Sequence, residues 1–207
     1  MKFVITPQQF EYLAVQRGGI SHLANDFALW KEAYEEAIES DFNTMLPLLP
    51  KGGPASLLDI GGGLSGISAR INKHYEDSVR VAVLDGREAK PEVVRHNLPF
   101  NSEAQTLTFL KANGVSRAEY LTPDQKLGAY RNRQYEVIIS TQAWCFHIEP
   151  ELYLEEVKKA LLPTGVLIVD VRRDEGRVAF LHEHFVMLGG LAFAEKWVRV
   201  AFMRRDE

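Results

Sequence analysis

Residues 57–66 read Leu-Leu-Asp-Ile-Gly-Gly-Gly-Leu-Ser-Gly. An apolar run from Ser56 to Ile60 meets three consecutive glycines, and a helix-compatible stretch from Ser65 to Tyr75 follows. That order specifies a strand, a tight turn and a helix start. Glycine accepts positive φ and lets a ligand approach the main chain closely. The first N–H groups of the helix have no internal partner and face whatever sits at the turn. A nucleotide-derived cofactor is the natural occupant. Gly61, Gly63 and Gly66 match G-x-G-x-x-G, the dinucleotide fingerprint. A nicotinamide-dependent oxidoreductase, NAD(P) its cofactor, is therefore one reading, and a non-catalytic nucleotide-binding protein of the same fold is another.

Asp59, at the end of the strand, argues against a dinucleotide. A diphosphate at this turn would meet a nearby carboxylate, and like charges repel. A ligand with a cationic end would be attracted. S-adenosylmethionine has such an end, an ammonium and a sulfonium, and no phosphate. Leu57 to Gly66 resembles the first motif of class I S-adenosylmethionine-dependent methyltransferases, an acid followed by a glycine-rich turn. Ser65 stands where many members have a third glycine. The resemblance implies an α/β, Rossmann-like doubly wound fold, with a mostly parallel sheet, helices on both faces and an N-terminal helical extension. It also implies S-adenosyl-L-methionine as cofactor, held at Asp59, Gly61, Gly62 and Gly63.

Downstream spacing agrees. Val79 to Asp85 is β-branched and apolar, ends in an acid and reads as the second strand. An acid placed there binds ribose in open α/β nucleotide sites, since its carboxylate accepts bonds from two hydroxyls. Asp85 suits that role in either cofactor reading. Gly86 to Phe100 reads as a loop or broken helix, a helix starts near Asn101 and ends at Gly114, and Arg117 to Leu121 forms a third strand. By the resemblance, Asp124 then bonds the adenine amino group; its plainer role is to cap a helix beginning at Pro123.

Tyr135 to Ser140 is the fourth strand, and Thr141 to His147 follows it. Open parallel sheets bind ligands beyond the carboxyl ends of their strands, so this segment should line a site. Ser140 falls on the cofactor side, Trp144 and Phe146 offer an apolar wall or stacking platform, and His147 is the candidate general base. Pro150 to Leu162 reads as a helix, Leu162 to Gly165 as a turn, and Val166 to Val171 as the fifth strand. Arg172 and Arg173 lie at its carboxyl end, where they could bind an anionic acceptor. They could equally be surface arginines paired with Asp174 and Glu175. A helix to about Leu188, the pair Gly189-Gly190 and a strand over 193–203 complete the chain, with no clear turn for a further strand. The Ser-x-x-x-Trp-Cys-Phe-His loop with Asp-Val-Arg after the next strand faintly resembles sugar O-methyltransferases. A small, polar, hydroxyl-bearing acceptor follows.

Residues 1–50 read as the helical extension and 51–207 as the cofactor-binding domain. Thr6-Pro7 opens a short helix to about Val15, and a longer one spans Asn25 to Met45. The apolar face of the longer helix is Phe27, Trp30, Tyr34, Ile38, Phe42 and Met45, with Glu32, Glu35, Glu36 and Glu39 on a solvated side. The extension either covers the cleft or merely covers the sheet. At 207 residues the chain can bury a substantial core. A net charge of −4 argues against a broad nucleic-acid-binding surface. Cys145 is the lone cysteine, which excludes an internal disulfide and a multi-cysteine zinc site, and no metal site is read. No apolar run nears the roughly 18 residues of a membrane helix, and the N-terminus turns polar too early for a secretory signal. A cytoplasmic enzyme is expected, its partner a small-molecule acceptor, with an oligomer left open.

Overall fold

The structure, a computed structural model, describes residues 1–16, 18–86, 102–122, 133–173 and 176–205. Asp124, Asp174, Glu175 and nearly all of the segment read as a loop or broken helix lie outside these. Seven strands form one sheet: β1 (Ser56–Ile60), β2 (Arg80–Leu84), β3 (Ala118–Leu121), β4 (Tyr135–Ser140), β5 (Leu161–Arg172), β6 (Phe185–Phe193) and β7 (Trp197–Arg204). Their order is β3-β2-β1-β4-β5-β7-β6. All neighbours pair in parallel except β7, which runs antiparallel to both β5 and β6. The chain moves outward from β1 to β3, then returns to add β4 on the other side of β1. That reversal opens a crevice at the carboxyl ends of β1 and β4.

Side chains alternate across the pleat, so each strand feeds two cores. Leu57, Val81, Val83, Val137, Ile139 and Ile168 point to one face. There they meet helices α1 (Pro7–Gln16), α2 (Phe27–Met45), α3 (Gly66–His74) and α4 (Glu103–Ala112). Leu58, Ile60, Ala82, Ile138, Leu167 and Val169 point to the other, against α5 (Leu154–Ala160) and α6 (Arg177–His184). The layered, mixed sheet is the expected fold class.

Asp26 starts α2 by accepting the N–H groups of Ala28 (3.0 Å) and Leu29 (3.1 Å). Trp30, Tyr34, Ile38, Phe42 and Met45 are all buried, whereas Phe27 is exposed. Glu35 departs from its expected solvated position. It is buried, accepts the Phe3 N–H at 2.8 Å and pairs with Lys2 Nζ at 3.0 Å. Burial alone would raise its carboxyl; these bonds outweigh that and hold it below the usual carboxylate range. Further along α2, Glu39 receives a two-pronged bond from Arg70 of α3, both contacts at 2.7 Å.

Three readings of the C-terminal half are corrected. The helix expected over Pro150 to Leu162 is a 3-10 turn (Pro150–Leu152) followed by α5, and Leu161 already pairs with Tyr135 in the sheet. The Leu-Pro-Thr-Gly segment is a bulge within β5, because the register jumps from Leu161 opposite Tyr135 to Val166 opposite Val137. Helix α6 stops at His184, not near Leu188, and 185–193 form an edge strand turned by residues 194–196 into β7. Gly189 and Gly190 do not break a helix. They sit where the β6–β7 register shifts, a place that suits residues without side chains.

Asp170 of β5 and Arg199 of β7 face each other across that antiparallel pair, both buried. Arg199 Nε and Nη2 bond the two Asp170 oxygens at 2.7 and 3.0 Å. Its Nη1 reaches Asp41 Oδ1 at 2.8 Å and Thr44 Oγ1 at 2.9 Å, both on α2. One guanidinium thus ties two strands to the N-terminal helix. Arg199→Met leaves Asp170 charged and buried without its partner, a loss of about 3–5 kcal/mol. The expected result is a thermal midpoint lower by on the order of 10 °C, read by circular dichroism. Asp170→Leu combined with Arg199→Met should recover most of that loss.

Candidate functional site

The glycine turn lies at the carboxyl end of β1, as its sequence demands. Gly61 and Gly63 have φ of +67° and +58°, which glycine adopts without strain. A methyl on Gly61 would strike the Ala143 side chain, and one on Gly66 would strike the Tyr34 hydroxyl. On Gly62 it would come within 2.6 Å of the Asp59 carboxyl, and on Gly63 within 2.8 Å of the Tyr12 hydroxyl. Four elements therefore close in on this turn at distances only bare backbone permits.

Asp59 is fully buried. Its Oδ2 accepts the hydroxyls of Ser65 and Ser68, the latter at 2.7 Å. The carboxylate lies beneath the turn rather than in the crevice. It sets the shape of the backbone above it, since Gly62 lies against it and Ser65 and Ser68 bond to it. Ser65 has φ +63° and ψ +44°, the left-handed region that costs a residue with a Cβ about 1–2 kcal/mol. The bond to Asp59 offsets that strain, which explains how serine stands in a position suited to glycine.

Asp85 follows β2 and is partly buried. Its Oδ2 accepts the Gly63 N–H at 2.5 Å and its Oδ1 the Gly86 N–H at 2.6 Å. Burial raises its carboxyl to about 6, against the pull of those two N–H groups, and the Asp59 charge adds to the rise. The turn's own donors are engaged elsewhere too. Gly61 N–H donates to Leu84 O at 2.7 Å and Ser65 N–H to Gly62 O at 2.7 Å. Three N–H groups that a phosphate cradle would aim outward are thus bonded inside the protein. Thr106 of α4 caps the remaining side, donating to Gly63 O at 2.9 Å.

The segment after β4 winds around one carbonyl. Ala143 O accepts the N–H groups of Phe146, His147 and Ile148 at 3.1, 2.8 and 3.2 Å. Gln142 and Cys145 take φ of +52° and +67° to make this possible. Ser140 is buried, and its hydroxyl bridges two strands of the crevice, donating to Ile60 O (2.8 Å) and accepting the Trp144 N–H (2.9 Å). Trp144 is buried as well, its indole donating to Pro150 O at 3.0 Å. Its place is inside the loop. Cys145 is buried and its thiol is pushed well up by that burial, so it supplies no nucleophile at neutral pH.

Phe146, His147 and Arg172 come together at the rim. The His147 ring meets Phe146 edge-on at 4.6 Å, and the Arg172 guanidinium lies 5.0 Å from the Phe146 ring centre. Arg173 goes elsewhere, donating to Ala194 O at 3.1 Å in the hairpin turn. Arg177, which the sequence reading passed over, clamps the loop from below. It bonds Phe146 O (3.4 Å), Ile148 O (3.2 Å) and the Glu149 carboxylate (2.9 Å). Ser68, Tyr12 and Thr106 were passed over too. Ser65 and Ser68 are one helical turn apart, so the first was traceable from spacing. Tyr12, Thr106 and Arg177 arrive from remote parts of the chain and carry no local signal.

No protein-family model and no curated protein matches the sequence. Solved structures match. A SAM-dependent methyltransferase from Aquifex aeolicus is 17% identical, with 80% of this chain and 90% of that one covered and a TM-score of 0.58. A TehB-like SAM-dependent methyltransferase from Corynebacterium glutamicum is 14% identical, covering 97% and 100%, with a TM-score of 0.57. A precorrin-6y C5,15-methyltransferase from Geobacter metallireducens is 14% identical, covering 82% and 88%, with a TM-score of 0.52. The likeness is one of fold. The Rossmann-like, mostly parallel sheet with antiparallel β7 described above is the fold this chain shares with those structures.

Ser65 tests the account of the turn. Ser65→Ala keeps the left-handed strain and removes a charged, buried bond worth about 1.5–3 kcal/mol. Ser65→Gly removes the same bond but also the strain. Thermal midpoints should therefore rank wild type first, Ser65→Gly second and Ser65→Ala last.

Proposed function

We propose that this protein is an S-adenosylmethionine-dependent methyltransferase acting on a small, polar, hydroxyl-bearing acceptor. One observation carries the cofactor choice. Asp59 lies beneath the glycine turn and Asp85 beside it, and three of the turn's N–H groups already have protein acceptors. A pyrophosphate would meet two carboxylates and few outward donors. A cationic sulfur nucleoside suits that field. The fold shared with methyltransferase structures agrees with the reading.

The residues present fit the cofactor. Asp85 keeps lone pairs free of its two N–H bonds and would accept the ribose hydroxyls. Gly61, Gly62 and Gly63 permit close approach, Asp59 sets their conformation, and Ser140 holds β1 and the loop after β4 in register. Asp124 is kept as the proposed adenine partner. When bound, the cofactor supplies a methyl group activated by its sulfonium. The chain's task is to hold the acceptor in line and exclude water. His147 is the proposed base for the acceptor hydroxyl, and Phe146 and Arg172 its wall and its anchor for a polar substituent. Acceptors vary among the neighbours, so the hydroxyl choice, a sugar included, rests on this rim and on the loop's faint resemblance to sugar O-methyltransferases.

Calorimetric titration with S-adenosylhomocysteine should give a micromolar dissociation constant, and NADH should give no heat. Binding of NADH without S-adenosylhomocysteine would replace the reading with the oxidoreductase one. The pH dependence has a definite sign. Asp85 must be ionised to accept ribose hydroxyls, and in the free protein its carboxyl titrates near 6. Affinity should be flat above that pH and fall by up to about tenfold per unit below it. Asp85→Asn should bind more weakly at neutral pH and lose that dependence.

A further inference from the structure

We propose that Asn113-Gly114 is a self-acting modification site: water alone deamidates it, the docked N-terminal segment keeps it closed, and its conversion releases that segment from α4. The site is independent of what the crevice binds. It is the only Asn-Gly pair in the chain. Glycine has no Cβ to hinder its own nitrogen, so this pair lets the backbone attack the preceding side chain. The Gly114 nitrogen bonds the Asn113 side-chain carbon, the bond to the amide nitrogen breaks, and ammonia leaves with the displaced proton. Water then opens the cyclic imide at either carbonyl and leaves aspartate or isoaspartate.

The folded chain holds every group of that reaction in place. Asn113 follows α4 and is 8% exposed. Gly114 takes φ +86°, closing the helix as glycine commonly does, and its N–H donates to Lys111 O at 3.2 Å. The Asn113 amide pairs with the peptide groups of Val4 as a neighbouring strand would. Its Oδ1 accepts the Val4 N–H at 2.8 Å, and its Nδ2 donates to Val4 O at 3.0 Å and to Phe109 O at 2.8 Å. Beside it Phe3 is buried, its ring stacked on Phe109 at 5.7 Å and its N–H donated to Glu35. Attack on the side-chain carbon requires the amide to swing out of these bonds, so the segment before α1 must lift first.

Conversion then works against closing. An aspartate at this place sets an oxygen where the amide donor stood, against Val4 O and Phe109 O, acceptor facing acceptor in a buried site. An isoaspartate also adds an atom to the main chain at the helix end. The segment is thereby shed from α4, whose Gln105 O still receives Gln9 Nε2 at 3.4 Å and whose Thr106 still bonds the turn. The site thus keeps a one-way record of how often the N-terminal segment opens.

Trypsin cuts after Lys111 and Arg117, so the mass of peptide 112–117 follows the exchange of ammonia for water. In urea at mildly alkaline pH the site should convert readily, and in the native protein at least about tenfold more slowly. Val4→Pro removes the N–H that Asn113 accepts and should speed native conversion by roughly fivefold, the worth of one hydrogen bond. Phe3→Leu weakens the neighbouring plug and should speed it too. Asn113→Asp should raise hydrogen exchange across residues 1–6 and leave β1 and β4 protected. Equal rates in urea and in the native protein would overturn the proposal, as would no conversion in either. So would native conversion unmoved by both variants. Exchange of residues 1–6 unmoved by Asn113→Asp, or protection lost at β1 and β4 as well, would overturn the local release.

Discussion

The buried carboxylate of Asp59, caged by the hydroxyls of Ser65 and Ser68, is the contact on which the rest of the site depends. A lone carboxylate beneath a backbone turn would be costly. Two hydroxyls, one from the residue before α3 and one from its first turn, make it tolerable, and in doing so they fix where that helix begins. Ser65 is drawn into a left-handed conformation, Gly62 is pressed against the carboxyl group, and Gly63 is presented to Asp85, Thr106 and Tyr12. The geometry of the crevice follows from a polar group that never reaches it.

Much of this was legible in the residues. The β1–turn–α3 unit announces itself because three glycines end an apolar run, and no other common local structure uses that order. Strands β1 and β4 were readable to the residue, since buried parallel strands are short, apolar and sharply bounded. Asp26 and Ser102 cap their helices as polar residues ahead of periodic apolar ones do. The reading faltered where local signals conflict. Val186, Met187 and Leu188 continue a helical period, and the glycines after them look like a stop. Only pairing with β7 makes the segment a strand, and that pairing is not local.

The site was legible in the same uneven way. Asp85 lay where spacing put it, beside the turn. Asp59 was found by position, but its burial depended on two serines whose roles emerge only in three dimensions. Trp144 and Ser140 looked like site-facing groups because they follow β4, yet the loop coils back on Ala143 and takes both inside. Arg172 and Arg173, adjacent in sequence, diverge because successive residues leaving a strand point opposite ways. One lies over Phe146 and the other joins the hairpin turn.

Helix α2 is fastened by two ionic attachments of different depth, one to the sheet and one to α3. Arg199 reaches Asp41 from a buried position, while Arg70 meets Glu39 near the surface. Mobile counter-ions crowd around the second and scarcely penetrate to the first, because screening over a Debye length of about 10 Å at 0.1 M acts on hydrated charges. Helix α2 is therefore anchored in a way that brine does not loosen at its sheet end, and its α3 end is the one that ionic strength can tune.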